Sequence, residues 1–224
     1  MAEEANRGTK RGLESAPGVT VEYQEDFTIK ITIPGYLAGC IIGKGGSVIT
    51  DLQARTSTRI KLSAARAFFP GSSNRVLLCT GKPDAVKTAL TEIVSRVEEN
   101  FKTKNADSSA SGEHPVNKEL QMGVLVPQAA SGCVIGKGGE VMKAIQASSG
   151  CKVQMAQKDQ MSYPSERPCD ITGEAAGIAG VMCTFVDRLL EDRDLSKYQN
   201  PSTNYTPRTA GGAAGGGVPL ATGM

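Results

Sequence analysis

The chain contains one pattern twice. Residues 39–46 read Gly-Cys-Ile-Ile-Gly-Lys-Gly-Gly, and residues 132–139 read Gly-Cys-Val-Ile-Gly-Lys-Gly-Gly. From Gly43 to Gly136 the offset is 93 residues. The same offset carries Ile31-Thr32-Ile33-Pro34 onto Val124-Leu125-Val126-Pro127, and Arg59-Ile60-Lys61-Leu62 onto Lys152-Val153-Gln154-Met155. Arg75 and Gly81 match Arg167 and Gly173 at an offset of 92, so one net residue is lost from a surface loop between the matched blocks. A repeat of this length means two copies of one small folding unit.

Each copy has the same order of elements. Phe27, Ile29, Ile31 and Ile33 alternate with polar residues, which predicts a half-buried strand closed by Pro34-Gly35. A short helix over about 36–42 follows. Gly43 to Gly46 must be a turn, and Ser47 opens a second helix with Val48, Ile49 and Leu52 on one face. Arg59–Ser63 and Arg75–Thr80 read as strands on either side of a loop containing Pro70-Gly71. The last helix begins near Pro83, where the missing N–H costs little. Its apolar stripe of Val86, Leu90, Ile93, Val94 and Val97 is matched in the second copy by Ile178, Val181, Met182, Phe185, Val186 and Leu189. The order is β-α-α-β-β-α, twice.

The glycine turn carries the chemistry. It brings bare main-chain N–H groups to the start of a helix, where the partial positive charge attracts phosphate. Glycine lets a sugar-phosphate backbone approach without a Cβ in the way, and lysine adds a mobile charge. A nucleotide-binding P-loop does not fit: Gly39 and Gly43 have three residues between them, and Gly45 stands where the metal-binding hydroxyl should be. A Rossmann fingerprint fails at Val48, where its last glycine belongs. A ligand-free helix–helix turn would account for one such motif better than for two with the same flanks.

Composition excludes other classes. The net charge of +2 is not that of a histone-like polycation and points to local contacts. Six cysteines (Cys40, Cys79, Cys133, Cys151, Cys169, Cys183) form no C-x-x-C pair, and the lone histidine is His114, so no metal or other cofactor is expected. Without an acid–base pair, no enzyme is expected either. No apolar run approaches the roughly 20 residues of a membrane helix, and the polar start is not a secretory signal. With aromatics at 4% and no Trp, a stacking platform of the RRM or OB kind is not expected.

At these residues the sequence resembles the K-homology (KH) family, type I, whose mark is a G-x-x-G loop clamping four nucleotides. Ile60-Lys61-Leu62-Ser63, Phe69-Pro70-Gly71 and Arg75 in the first copy, with Val153-Gln154-Met155-Ala156-Gln157-Lys158 and Glu166-Arg167 in the second, are similar to the first two KH modules of Nova-type splicing regulators. That group carries a third module, where this chain has a glycine-rich tail. Ser57 stands at a turn where the family usually has glycine, and Pro168 sits in a strand, where it implies an edge or a distortion.

The resemblance implies an α+β fold of two tandem type I KH domains, each a three-stranded antiparallel sheet packed against three helices. It also implies a site. The first clamp would be Gly43, Lys44, Gly45 and Gly46, with Cys40 at the groove entrance. Its apolar floor would be Ile42, Ile49, Ile60 and Leu62, and Arg75 would reach base edges. The second clamp would be Gly136, Lys137, Gly138 and Gly139, with Cys133 at the entrance. Its floor would be Ile135, Met142, Val153 and Met155, with Arg167 as base reader. The expected ligand is single-stranded RNA, or single-stranded DNA, read as pyrimidine-C-A-pyrimidine in a nuclear splicing role with shuttling to the cytoplasm. Alternatives are a poly(C)-binding regulator of mRNA stability or translation, and a protein-interaction scaffold. A homodimer or splicing-factor contacts through exposed KH surfaces are further expectations. No membrane partner is expected. The expected boundaries are a disordered tail over 1–22, domains over 23–101 and 119–195, a flexible linker over 102–118 and a flexible glycine-rich tail over 196–224. Residues 26–101 hold 10 basic and 6 acidic side chains (+4), and residues 119–195 hold 7 and 10 (−3). The first module is therefore expected to grip a polyanion more tightly.

Overall fold

The computed structural model describes residues 26–111, 119–158 and 163–205. The expected element order appears in both copies. The first copy runs β1 (Phe27–Pro34), α1 (Gly39–Ile42), α2 (Ser47–Thr56), β2 (Arg59–Leu62), β3 (Asn74–Gly81) and α3 (Pro83–Ser111). The second runs β4 (Leu120–Pro127), α4 (Ser131–Ile135), α5 (Glu140–Ser149), β5 (Lys152–Met155), β6 (Glu166–Gly173) and α6 (Ala175–Leu190). A short α7 (Leu195–Tyr198) follows. Ser57 adopts the left-handed backbone (φ 52°) that its counterpart Gly150 adopts at no steric cost.

The two copies do not stay separate. All six strands form one antiparallel sheet in the order β2-β3-β1-β4-β6-β5. β1 would be the edge of a lone unit, and here it pairs with β4: Lys30 with Leu125, Ile31 with Val124, Thr32 with Gly123. Ile31 and Val124 are repeat equivalents, so the seam sits on a pseudo-twofold axis. Gly123 is needed there, since a Cβ would lie 2.5 Å from Thr32 Oγ1 and 2.9 Å from the Cys169 carbonyl. On the helix side α3 packs on α6, where Lys87 meets Asp187 and the Cys183 thiol faces the Lys87 carbonyl at 3.8 Å. One apolar core therefore runs through both copies, from Ile31, Ile33 and Leu77 to Val124, Ile171 and Phe185.

Two expectations about boundaries change. The helix α3 continues to Ser111, through ten residues assigned to the linker. Those residues are polar, but no glycine or proline interrupts the run until Gly112, and polarity alone does not stop a helix. Phe101 anchors it at 7% exposure. The second change is at the C-terminus. Of residues 196–205, assigned to the flexible tail, 196–198 complete α7 and 199–205 lie across the seam on the open face of the sheet. Gln199 donates to the Thr28 carbonyl at 2.9 Å, and Tyr205 is buried. The expected tails over 1–22 and 206–224, and residues 112–118 of the linker, lie outside the described residues.

Tyr205 completes a buried polar cluster. The Lys30 ammonium from β1 donates to Glu166 Oε1 at 2.7 Å and to the Tyr205 hydroxyl at 2.8 Å, and that hydroxyl donates to the other Glu166 oxygen. Lys30 and Glu166 are only 4% and 3% exposed. Burial pulls the Lys30 pKa down, against the opposing pull of Glu166, and pushes the Tyr205 hydroxyl well above its usual range. Phe69 and Tyr163 close over the Tyr205 ring edge-on, at 5.1 and 5.0 Å between centroids. The ion pair thus joins the first copy to the second, and the strap seals it from water. Glu166→Ala leaves an unpaired buried ammonium and should cost about 3–5 kcal/mol. Replacing both charges by apolar residues (Lys30→Met with Glu166→Leu) should recover most of that loss. Urea unfolding midpoints at constant slope check both outcomes.

Candidate nucleic-acid interface

The two glycine turns superimpose in conformation. Gly43, Gly45 and Gly46 have φ of 71°, 62° and 82°; Gly136, Gly138 and Gly139 have 73°, 61° and 80°. All six lie where an L side chain is strained. Their roles differ. A Cβ on Gly43 would strike Val48 Cγ2 at 2.3 Å, and one on Gly136 would strike Val141 Cγ2 at 2.4 Å, so these two glycines let the turn close on the helix. Positions 45, 46, 138 and 139 face open space, with nothing within 4 Å. Lys44 and Gly45, like Lys137 and Gly138, are exposed. No side chain caps the N-terminus of α2 or α5; the first N–H of each ten-residue helix, at Ser47 and at Glu140, donates to the carbonyl of Lys44 or Lys137 in the turn before it. Ser47 follows the first clamp and Glu140 the second, both exposed.

The floor residues divide into two sets. Ile42, Ile49 and Leu62 are half-buried, as are Ile135, Met142 and Met155, so each groove presents an aliphatic surface. Ile60 and Val153, at 5% and 4% exposure, belong to the core and support the floor from beneath. Cys40 and Cys133 are half-buried beside the clamps, and burial pushes both thiols up. Cys79 and Cys169 are pushed up to about 12 by burial. Among the described residues no group of three His, Cys, Asp or Glu side chains could hold a metal, and no helix is long and apolar enough to cross a membrane. His114 lies outside the described residues.

The two arginines make matching main-chain contacts. Arg75 is 7% exposed, and its Nε donates to the Ser63 carbonyl at 3.0 Å, joined by a terminal N–H of the same guanidinium. Burial lowers its pKa. Arg167 repeats the contact, with Nε 2.6 Å from the Ala156 carbonyl. Each guanidinium holds a main-chain carbonyl one residue past the end of β2 or β5. The physical reason lies in the ladder. Ser63 N–H donates to the Val76 carbonyl at 2.8 Å, but the Ser63 carbonyl is taken by Arg75, so Val76 N–H turns to Ser63 Oγ at 3.1 Å. In the second copy Ala156 N–H donates to the Pro168 carbonyl at 2.9 Å. Proline has no N–H, and alanine has no hydroxyl to receive one. Donor and acceptor are both missing, so Pro168 sits in an inner strand without leaving a polar group unpaired. It marks no edge.

Two groove residues escaped the sequence reading. Gln53 on α2 accepts from Ile60 N–H at 2.8 Å, and Gln146 on α5 accepts from Val153 N–H at 3.2 Å. Each glutamine ties a helix to the outer edge strand and fixes the distance between the groove walls. Their recurrence at the repeat offset of 93 was the available signal.

The clasp makes a checkable claim. Ser63→Ala alone strands a buried N–H and should cost about 1–3 kcal/mol. Val76→Pro in addition removes that donor. The double variant should therefore cost less than the sum of the singles, with a coupling on the order of 1 kcal/mol in a denaturation cycle.

Comparison with known proteins agrees with this geometry. The model of the KH domain family matches residues 28–95 and 121–182. The chain is 32% identical over 213 residues to the RNA-binding protein Nova-2 of Homo sapiens, covering 90% of this chain and 43% of that protein. It is 32% identical over 189 residues to the RNA-binding protein Pasilla of Drosophila melanogaster, covering 81% and 24%. It is 26% identical over 211 residues to far upstream element-binding protein 2 of Rattus norvegicus, covering 93% and 28%. The chain spans less than half the length of each of these relatives. With a family match in both copies, over the strands and glycine turns that build each groove, the chain belongs to the KH domain family.

Proposed function

We propose that this protein binds single-stranded RNA through both grooves and acts in the nucleus as a regulator of pre-mRNA splicing. The observation that carries the reading is the paired clamp: two exposed Lys-Gly turns, each at an uncapped helix start beside a half-exposed aliphatic floor. The turn supplies N–H groups and a cation to the phosphates, and the floor suits the flat faces of small bases. Pyrimidine-C-A-pyrimidine is the proposed element, on the resemblance to Nova-type splicing regulators. That two relatives are themselves named RNA-binding proteins supports the ligand class. The far upstream element-binding proteins among the relatives favour a second reading, in which the element serves another step of gene expression and is RNA or single-stranded DNA. Selection from a random RNA pool decides between the elements.

The shared sheet supports a specific mode of bivalent binding. β2 and β5 are its two outer strands and run in opposite directions, about 24 Å apart at a strand spacing of ~4.8 Å. The grooves beside them are therefore held at a fixed separation, in place of the freely tethered pair expected from the sequence. A single RNA filling both would need a spacer that lets it reverse.

The clamps can be disabled one at a time in the intact chain. Lys44→Asp with Gly45→Asp fits the open turn, since aspartate tolerates a left-handed backbone better than most residues. It should weaken RNA binding about 10- to 100-fold and flatten the salt dependence. The matching pair Lys137→Asp with Gly138→Asp should cost less, because the second module is net negative and carries Glu140 beside its clamp. Anisotropy titrations at two salt concentrations check this. A larger, steeper loss from the second pair refutes the asymmetry, and no loss from either pair refutes RNA binding through the clamps.

A further inference from the structure

The strap lies on the sheet as a bound peptide would. Among the described residues, no main-chain to main-chain hydrogen bond ties 199–205 to the strands beneath. Its polar groups bond locally: Ser202 N–H donates to Asn200 Oδ1 at 2.9 Å, and Asn204 N–H donates to Ser202 Oγ at 3.1 Å. Side chains hold it in place. Gln199 reaches the Thr28 carbonyl, Thr203 is buried, and Tyr205 is the anchor. Pro201, Ser202 and Asn204 are exposed. A segment held by so few contacts opens at less cost than the core does.

Beneath Tyr205 is a slot with its own chemistry. Phe69, Val76, Leu125 and Tyr163 are its apolar walls. The Lys30 ammonium lies 5.0 Å from the Tyr205 ring centroid and, with Glu166, forms the polar end. A group seated there must accept from Lys30 and donate to Glu166, which a phenol does and a phenyl ring cannot. The pseudo-twofold does not repeat the slot, because Gly123 and Asn74 are the repeat equivalents of Lys30 and Glu166. The slot also faces away from the RNA grooves. Ile60 and Leu62 share a face with Ile29 and Ile31 through Cys79 and Leu77, and Lys30 points to the other face.

We propose that this slot is a docking site for an extended, tyrosine-bearing segment of a partner protein, with residues 199–205 seated in it as an internal competitor. The strap defines what fits: a tyrosine in the slot, a small hydroxyl residue two positions before it and an amide side chain six positions before it. Tethering gives the strap an effective concentration on the order of mM, so it holds the slot closed until a partner outcompetes it. Docking leaves both clamps free, and the inference stands apart from the RNA reading.

The probe is a fluorescent peptide with the strap's own sequence, Gln-Asn-Pro-Ser-Thr-Asn-Tyr. The full chain carrying Gln199→Ala with Tyr205→Ala has an open slot. It should bind the probe at least about 10-fold more tightly than the unaltered chain, whose strap competes. A probe with phenylalanine in place of its tyrosine should bind the open chain about 10-fold more weakly or worse, since it strands both charged partners. Tyr205→Phe in the full chain keeps the ring and tests the same site in a milder variant; its affinity for the tyrosine probe should fall between the other two. Equal uptake by the open and unaltered chains, or equal uptake of the tyrosine and phenylalanine probes, overturns the proposal. RNA affinity should be the same with and without saturating probe. A chain that takes up the probe and ignores RNA overturns the RNA reading alone.

Discussion

The pairing of β1 with β4 is the constraint on which the rest of the architecture depends. Alone, each copy would leave its first strand as an open edge, with a row of unpaired N–H and C=O groups. Each edge satisfies the other. Because the strands are repeat equivalents, they meet around a pseudo-twofold axis at Ile31 and Val124. That axis fixes the placement of the outer strands, and with them both grooves. The ion pair of Lys30 and Glu166 lies next to the axis, and one charge comes from each copy. A buried pair of this kind contributes little net stability but penalises any arrangement that separates it. It therefore specifies the seam more than it strengthens it.

The grooves are built with the same economy. In each copy a glutamine ties the second helix to the edge strand, and an arginine holds the carbonyl where that strand ends. Helix, clamp and edge strand are thereby held in one geometry before any ligand arrives, which reduces the ordering cost of binding. The exchange of Ser63 and Val76 for Ala156 and Pro168 leaves this geometry intact, because a hydrogen bond was deleted from both ends at once. The asymmetries that remain are at the surface: Ser47 against Glu140, Tyr36 against Ala129, and a charge of +4 against −3.

Much of the fold was legible in the residues. The period of two in residues 27–33, the glycine turns and the apolar stripes of the long helices each dictate a local conformation, and the duplication doubled every signal. The turn conformation of the six glycines was readable because a left-handed backbone leaves few other choices. The main-chain contacts of Arg75 and Arg167 were not legible, because the carbonyl that each holds lies 12 or 11 residues back along the chain. The polar end of α3 was misread because residues that cannot pack in a core can still be helical.

The sequence by itself determined two units, their element order and the glycine turns between their first two helices, since these follow from short-range backbone preference and apolar spacing. Tertiary structure alone decided that the units share one sheet, that residues 199–205 strap the seam, and that Lys30, Glu166 and Tyr205 meet. Those contacts join residues more than a hundred positions apart, or across repeats. No periodicity encodes them, because they depend on which surfaces fit once each unit has closed.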